Sequence, residues 1–297
     1  MKLLKNISVN LKIIFLNYGF YICAIFTVIL CFTASIYYDS TVSENYSIIK
    51  SLTEFNCEFM LTDTSFCTYK VIECGSGSWL SMFIPIISAF AFIPFMCDEK
   101  ESKTIRSSLI RSSRFTFHTS KFIAGCLSGG FAVVFGFAIF ALIVSILFPD
   151  ITQYSSEMQE MMKDEIMMTF PELAECDYGV LITFKFIEIF LYGVISSIPA
   201  VVLTSVMNNK YLVLCIPFFL KYALTQTCVK ISSQVWSDLE NPNKELGRFV
   251  NILAPDSIVN LFQSSDKEYI LLYNFGIIVI IYLLYLTIQN RRLDCGE

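Results

Sequence analysis

Long apolar runs alternate with short polar segments along this chain, and the runs are bilayer-sized. A helix needs about 20 residues to cross roughly 30 Å of hydrocarbon. Six runs come up to that length: 13–38, 79–96, 122–148, 178–206, 211–229 and 269–289. The first has no charge between Lys12 and Asp39, about twice the apolar length of a secretory signal, and reads as a retained span. The fourth and fifth carry charge inside them, Lys185 with Glu188 and Lys221. The pattern predicts an all-α polytopic membrane protein of six transmembrane helices in one domain over residues 1–297.

The polar segments have patterns of their own. In residues 1–12, Leu3, Leu4, Ile7 and Leu11 fall on one helical face with Lys2, Lys5 and Lys12 mostly elsewhere. That predicts an interfacial helix lying in the membrane surface before the chain turns inward. Residues 155–170 place Met158, Met161, Met162, Ile166 and Met167 at helical spacing, predicting a short amphipathic helix on the outer surface. Such a methionine face packs or, with other ligands, holds soft metals; this run has neither His nor Cys. After an Asn-Pro-Asn turn at Asn241–Asn243, the run GRFVNILAPDSIVNLF has Pro255 in its middle. It is too broken to span, and predicts a partly re-entrant hairpin over the outer face before the last span.

Charge sets the expected orientation. With six spans and both termini inside, the inner segments 1–12, 97–121, 207–210 and 289–297 hold 12 Lys/Arg against 5 Asp/Glu. The outer segments hold 7 against 20, so the positive-inside bias predicts cytoplasmic termini and a multi-pass protein of the cell membrane. The net charge of −5 therefore reflects acidic outer loops and does not argue against membrane contact. Composition agrees: 55% hydrophobic and 16% charged lies outside the usual range of soluble domains. Four of the eleven cysteines fall within apolar runs and two in inner segments. Cys57, Cys67, Cys74, Cys176 and Cys228 face outward, leaving one bridge in the first outer loop open.

Several chemistries are missing. A single histidine, His118, excludes paired-histidine metal motifs, and its place near the membrane end of a basic loop reads as solvated or interface-anchoring. No phosphate-cradling G-x-x-x-x-G-K-[ST] and no G-x-S-x-G elbow occurs. Nothing suggests a catalytic site, a metal site, a cofactor bound by this chain or a nucleic-acid partner. Ionisable groups inside spans are costly unless paired or wetted, so Lys185, Glu188 and Lys221 are candidates to line a pathway. Lys185 and Glu188, three apart, share a face and can neutralise each other; Lys185 is also near enough to the outer surface to snorkel. Gly125, Ser128, Gly129, Gly130 and Gly136, with Gly193, Ser196, Ser197 and Ala200, predict closely packed helices.

The loop 97–121, CDEKESKTIRSSLIRSSRFTFHTSK, is the polar segment best suited to dock another protein. It resembles the loop after the second span in type-2 ABC transporter permeases, with Glu99, Glu101, Thr104, Ile105, Leu109, Ser113, Arg114 and Lys121 at the family's places. Lys103 stands where the family usually has Gly, and no Pro precedes Ser113–Arg114. The resemblance implies a cytoplasmic coupling helix gripped by a separate cytosolic ABC ATPase, with ATP and Mg held by that partner. Glu99, Glu101, Thr104, Arg106, Arg111 and Arg114 are the implied ATPase-coupling residues. A second permease copy or a sister subunit would complete the transporter in the lipid bilayer.

The expected function is thus the membrane-spanning subunit of an ABC exporter for a peptide, lipid or drug. The alternative is a partner-independent ion-coupled carrier or a membrane-embedded assembly protein, with a membrane enzyme the remaining class.

Overall fold

The computed structural model describes residues 2–40, 43–101, 113–169, 177–207, 209–237 and 243–294. It is mostly helical, and five helical stretches are long and apolar enough to cross a membrane: Trp79–Lys100, Arg114–Gln153, Tyr178–Val206, Lys210–Val235 and Lys267–Arg291. A sixth is available if the bent pair near the N-terminus is counted as one crossing.

That bent pair corrects the unbroken run expected at 13–38. Helix α1 covers Lys2–Phe15 and α2 covers Tyr18–Phe32, with a 65° bend between them. Asn17 makes the break: its side chain accepts from the Gly19 amide, so it ends one helix and caps the next. Helix α1 packs on the third long helix through Ile7 and Ile14, whereas Leu4, expected on the same face, points away and is exposed. The run also ends early. Ser35–Asp39 (β1) pairs antiparallel with Glu44–Ser47 (β2), the only strands among the described residues. Tyr37 and Tyr46 on this hairpin pack with Phe55, Phe59 and Phe66, which favours a pleated surface over a continuing helix.

Short helices Ile48–Glu54 (α3), Cys57–Met60 (α4) and Thr68–Ser76 (α5) complete the cap that the hairpin begins. Cys57, Cys67 and Cys74 carry free thiols there, so no bridge joins them; Cys176 lies outside the described residues. The second long stretch is built from Ser78–Phe90 (α6) and Ile93–Glu101 (α7). Pro94 has no N–H for the Phe90 carbonyl, and the ladder loosens at Ala91–Phe92. The third helix, α8, runs from Arg114 to Leu147, with Ser113 accepting from the Thr116 amide at its start. Ser156–Thr169 (α9) follows and tucks Met162 and Ile166 inward while Met161 and Met167 stay exposed. Helices α10 (Tyr178–Val206) and α11 (Lys210–Ser237) come next, then α12 (Lys244–Leu253), a 3-10 turn at Pro255–Ile258 and α13 (Lys267–Asp294). Asn243 caps α12 at Leu246; the rest of the Asn-Pro-Asn turn lies outside the described residues.

Helices α8 and α10 form the centre of the bundle. A Cβ on Gly193 would sit 2.9 Å from Gly130 Cα, and one on Gly129 would sit 2.8 Å from Ser197 Cβ. The small residues therefore allow near-backbone contact, the type of packing that works where both surroundings are apolar. Gly136 does the same against α2, where a Cβ would meet Ala24 O at 2.6 Å.

The two ends of the bundle differ. At one, here the basic end, residues 98–100, 119–121, 204–205, 210 and 282–289 meet. At the other, the cap end, α5 and α9 meet through Lys70 and Glu165, 2.5 Å apart, and the turn after α12 lies against α10 and α11.

Candidate functional site

Two buried lysines at the cap end organise the candidate site. The first is built from spacing. Lys185 and Glu188 lie one helical turn apart on α10, both buried, with their charged atoms 3.1 Å apart. An ion pair alone leaves hydrogen-bonding capacity unused, and the segment after α12 supplies the rest. Lys185 Nζ donates to Val259 O at 2.7 Å and to Asn260 Oδ1 at 3.0 Å, while Glu188 Oε1 accepts from the Phe262 amide at 2.8 Å. The snorkelling alternative for Lys185 is thereby corrected: its ammonium turns inward to a polar segment that fully occupies it. Lys185 and Glu188 also border a cavity of about 30 Å³ with Tyr69, Glu73 and Gln263. That is room for about one or two water molecules.

The second lysine depends on a proline. Pro85 in α6 offers no N–H to the carbonyl of Ser81, four residues earlier, so this oxygen is left unpaired within the helix. Lys221, from α11, donates to it. The same ammonium pairs with Asp256 Oδ1 at 2.8 Å and lies 4.8 Å from the centre of the Tyr192 ring. Tyr192 Oη is 2.7 Å from Asp256 Oδ1 and 3.0 Å from Ser81 O, so its one proton is shared between two acceptors. Thr225 Oγ1 stands 3.4 Å from the other Asp256 oxygen. An ammonium, a carboxylate, a phenol and a freed carbonyl thus satisfy one another where isolated charges would be costly.

Together the two groups fasten residues 256–262 to α6, α10 and α11. The fastening consists of charge-assisted hydrogen bonds from Lys185 and to Glu188, which pair with each other within α10, and of the Lys221–Asp256 ion pair between elements.

At the basic end the polar loop's flanks are braced as well. Glu99 pairs with Lys121, joining the end of α7 to α8. Lys100 donates to the Thr204 carbonyl of α10, and Asp98 pairs with Lys210 of α11 at 2.5 Å. Residues 98–100 therefore touch three different long helices. Of the residues expected to contact a partner, Glu99 is engaged with Lys121, Arg114 opens α8, and Glu101 closes α7. Thr104, Arg106 and Arg111 lie outside the described residues. His118 corrects another expectation. It is buried between Phe117 and Tyr285 instead of solvated, and its Nε2 has no partner among the described residues.

The spacing and apolar context pointed to Lys185, Glu188 and Lys221. Sequence reasoning missed Asp256, Tyr192 and Ser81. The available signal was Pro85 inside an apolar helix, since every such proline exposes one carbonyl four residues before it. Among the described residues no three His, Cys, Asp or Glu side chains gather as a metal site. No protein-family model matches the chain, and no curated protein matches its sequence.

Proposed function

We propose that this chain is the membrane-spanning subunit of an ATP-driven exporter, worked by a separate cytosolic ABC ATPase and paired with a second permease copy or a sister subunit. The reading takes 97–121 as the inner loop and both termini as cytoplasmic, in the cell membrane. One observation carries it. The flank of this loop is tied to three long helices at once, through Glu99–Lys121, Lys100 to the Thr204 carbonyl, and Asp98–Lys210. A load applied to the loop therefore reaches α8, α10 and α11 through three separate side-chain links. Further along the same helices, Lys185 and Glu188 of α10 and Lys221 near the middle of α11 hold residues 256–262, the segment that a transported molecule would have to displace.

The test is co-expression with the ABC ATPase encoded nearest to it. The full chain should co-purify with that ATPase and raise its ATP turnover, and scrambling 102–112 should abolish both. A chain that moves cargo across vesicles with no ATPase present overturns the proposal, as does labelling of a cysteine placed at Arg111 from outside intact cells.

A second reading, the ion-coupled carrier, draws on the two buried ion pairs at the cap end. It requires that Glu188→Gln or Lys221→Ala abolish transport by the chain alone while the loop is dispensable.

A further inference from the structure

We infer that the elbow between α1 and α2 is a binding site for an anionic phospholipid of the leaflet against which α1 lies. The bend at Leu16–Asn17 leaves an open groove of about 540 Å³. That is within the range of small-molecule sites, about 300–1,000 Å³. Its walls are apolar, formed by Leu4, Leu11, Phe15 and Leu16, and Leu4 and Leu16 have 71% and 72% of their surface uncovered. Side chains this apolar and this open, on a helix joined through a 65° bend to the apolar α2, are suited to acyl chains.

The rim supplies the other half of a lipid. Lys5, Ser8 and Lys12 stand at i, i+3 and i+7 of α1 and so form one stripe, with Ser8 and Lys12 also bordering the groove. Helix α1 contains no acid, and Lys2, Lys5 and Lys12 have no ion partner among the described residues. By contrast Lys121, Lys185, Lys210 and Lys221 each have a carboxylate. Two free ammonium groups flanking a hydroxyl make a phosphate seat, and the groove beside it receives the chains. The headgroup must carry net negative charge: a choline would bring a second cation beside the lysines, while a glycerol headgroup would not. A free phosphate ion would use the stripe and leave the groove empty.

The experiment uses the full chain, delipidated in a neutral detergent and read by native mass spectrometry, and needs neither ATPase nor cargo. Phosphatidylglycerol and phosphatidylcholine of identical acyl chains are offered in turn. Phosphatidylglycerol should be retained at least tenfold better. Lys12→Gln and Lys5→Gln should each weaken it about fivefold, as expected for one basic residue at a charged membrane surface. Ser8→Phe, at an exposed position on the groove's edge, fills the groove without replacing the buried Ile7 or Ile14; it should abolish retention while leaving the unfolding temperature unchanged. Equal retention of the two lipids overturns the inference, as does retention indifferent to both Lys12→Gln and Ser8→Phe. Displacement of the lipid by millimolar inorganic phosphate overturns the acyl seat, and a dimer that Ser8→Phe dissolves assigns the groove to a second copy instead.

Discussion

Lys221 binds the carbonyl that Pro85 leaves open: the ammonium of one helix takes the acceptor that the proline of another has released at Ser81. Pro85 and Lys221 are therefore energetically linked although they do not need to touch. Pro85→Ala restores an amide that competes with Lys221 for the Ser81 oxygen. A double-mutant cycle of Pro85→Ala and Lys221→Met should show a coupling of about 1 kcal/mol or more, where independent sites add to within about 0.5. Thermal unfolding in detergent, followed by dye labelling of buried Cys126, measures it.

The Lys221–Asp256 pair should be costly to break from one side. Lys221→Met leaves Asp256, still partly enclosed, with only Tyr192 and Thr225, and should destabilise by about 2–4 kcal/mol. Adding Asp256→Asn should recover at least half of that loss. Tyr192→Phe removes a single proton shared by two acceptors and should cost about 1–2 kcal/mol. A double variant no more stable than Lys221→Met would deny that the lost partner is the cause.

The braces at the basic end should separate by burial. Asp98–Lys210 is largely open to solvent, and Lys210→Ala should cost under about 1 kcal/mol, less still in high salt. Glu99–Lys121 is mostly enclosed, and Lys121→Met should cost about 2–4 kcal/mol with little dependence on salt. Unfolding curves of both variants at low and high ionic strength decide between them.

The cap should weaken in alkali. Burial pushes the Cys67 thiol above its ordinary value of 9.0, and burial likewise raises the Tyr69 and Tyr154 phenols above 10.0. All three are neutral when protonated, so the folded cap favours the protonated forms. Between the unfolded and folded values the unfolded chain holds fewer protons, and stability falls as pH rises. The contribution is complete below about pH 9 and is lost progressively above it. Cys67 should also react with a maleimide far more slowly than exposed Cys57 at pH 8. A rising stability between pH 9 and 11 would contradict the assignment.

The glycine contacts should be unequal. Gly193→Ala drives a methyl toward the Gly130 backbone, which has no rotamer to yield, and should cost about 1–3 kcal/mol. Gly276 on α13 has open space around its Cβ position, so Gly276→Ala should be neutral or stabilise by up to about 1 kcal/mol through helix propensity. Melting temperatures of the two variants provide the comparison.

The helical, membrane-capable character of the chain was legible because hydropathy acts over some 20 residues at a time. The elbow was not. A count of charges passes over Asn17, whose effect is to cap a helix and not to raise polarity; Asn-Tyr-Gly within an apolar run was the local sign. Lys185, Glu188 and Lys221 were legible because charge inside such a run must find a partner. Lys221's partner was not, since Asp256 lies far along the chain and only the folded chain brings it to α11. His118 misled for the opposite reason: proximity to basic residues suggested water, while Phe117 and Tyr285 enclose it.

The contact between Gly130 and Gly193 falls at the middle of both helices, the seventeenth of 34 residues in α8 and the sixteenth of 29 in α10. Each helix thus extends about 20–25 Å to either side of the crossing. Like the rivet of a pair of scissors, such a crossing makes both ends open and close together by equal amounts. Spreading these helices where Lys121 and Thr204 lie would spread them equally beside Lys185, with neither amplification nor loss.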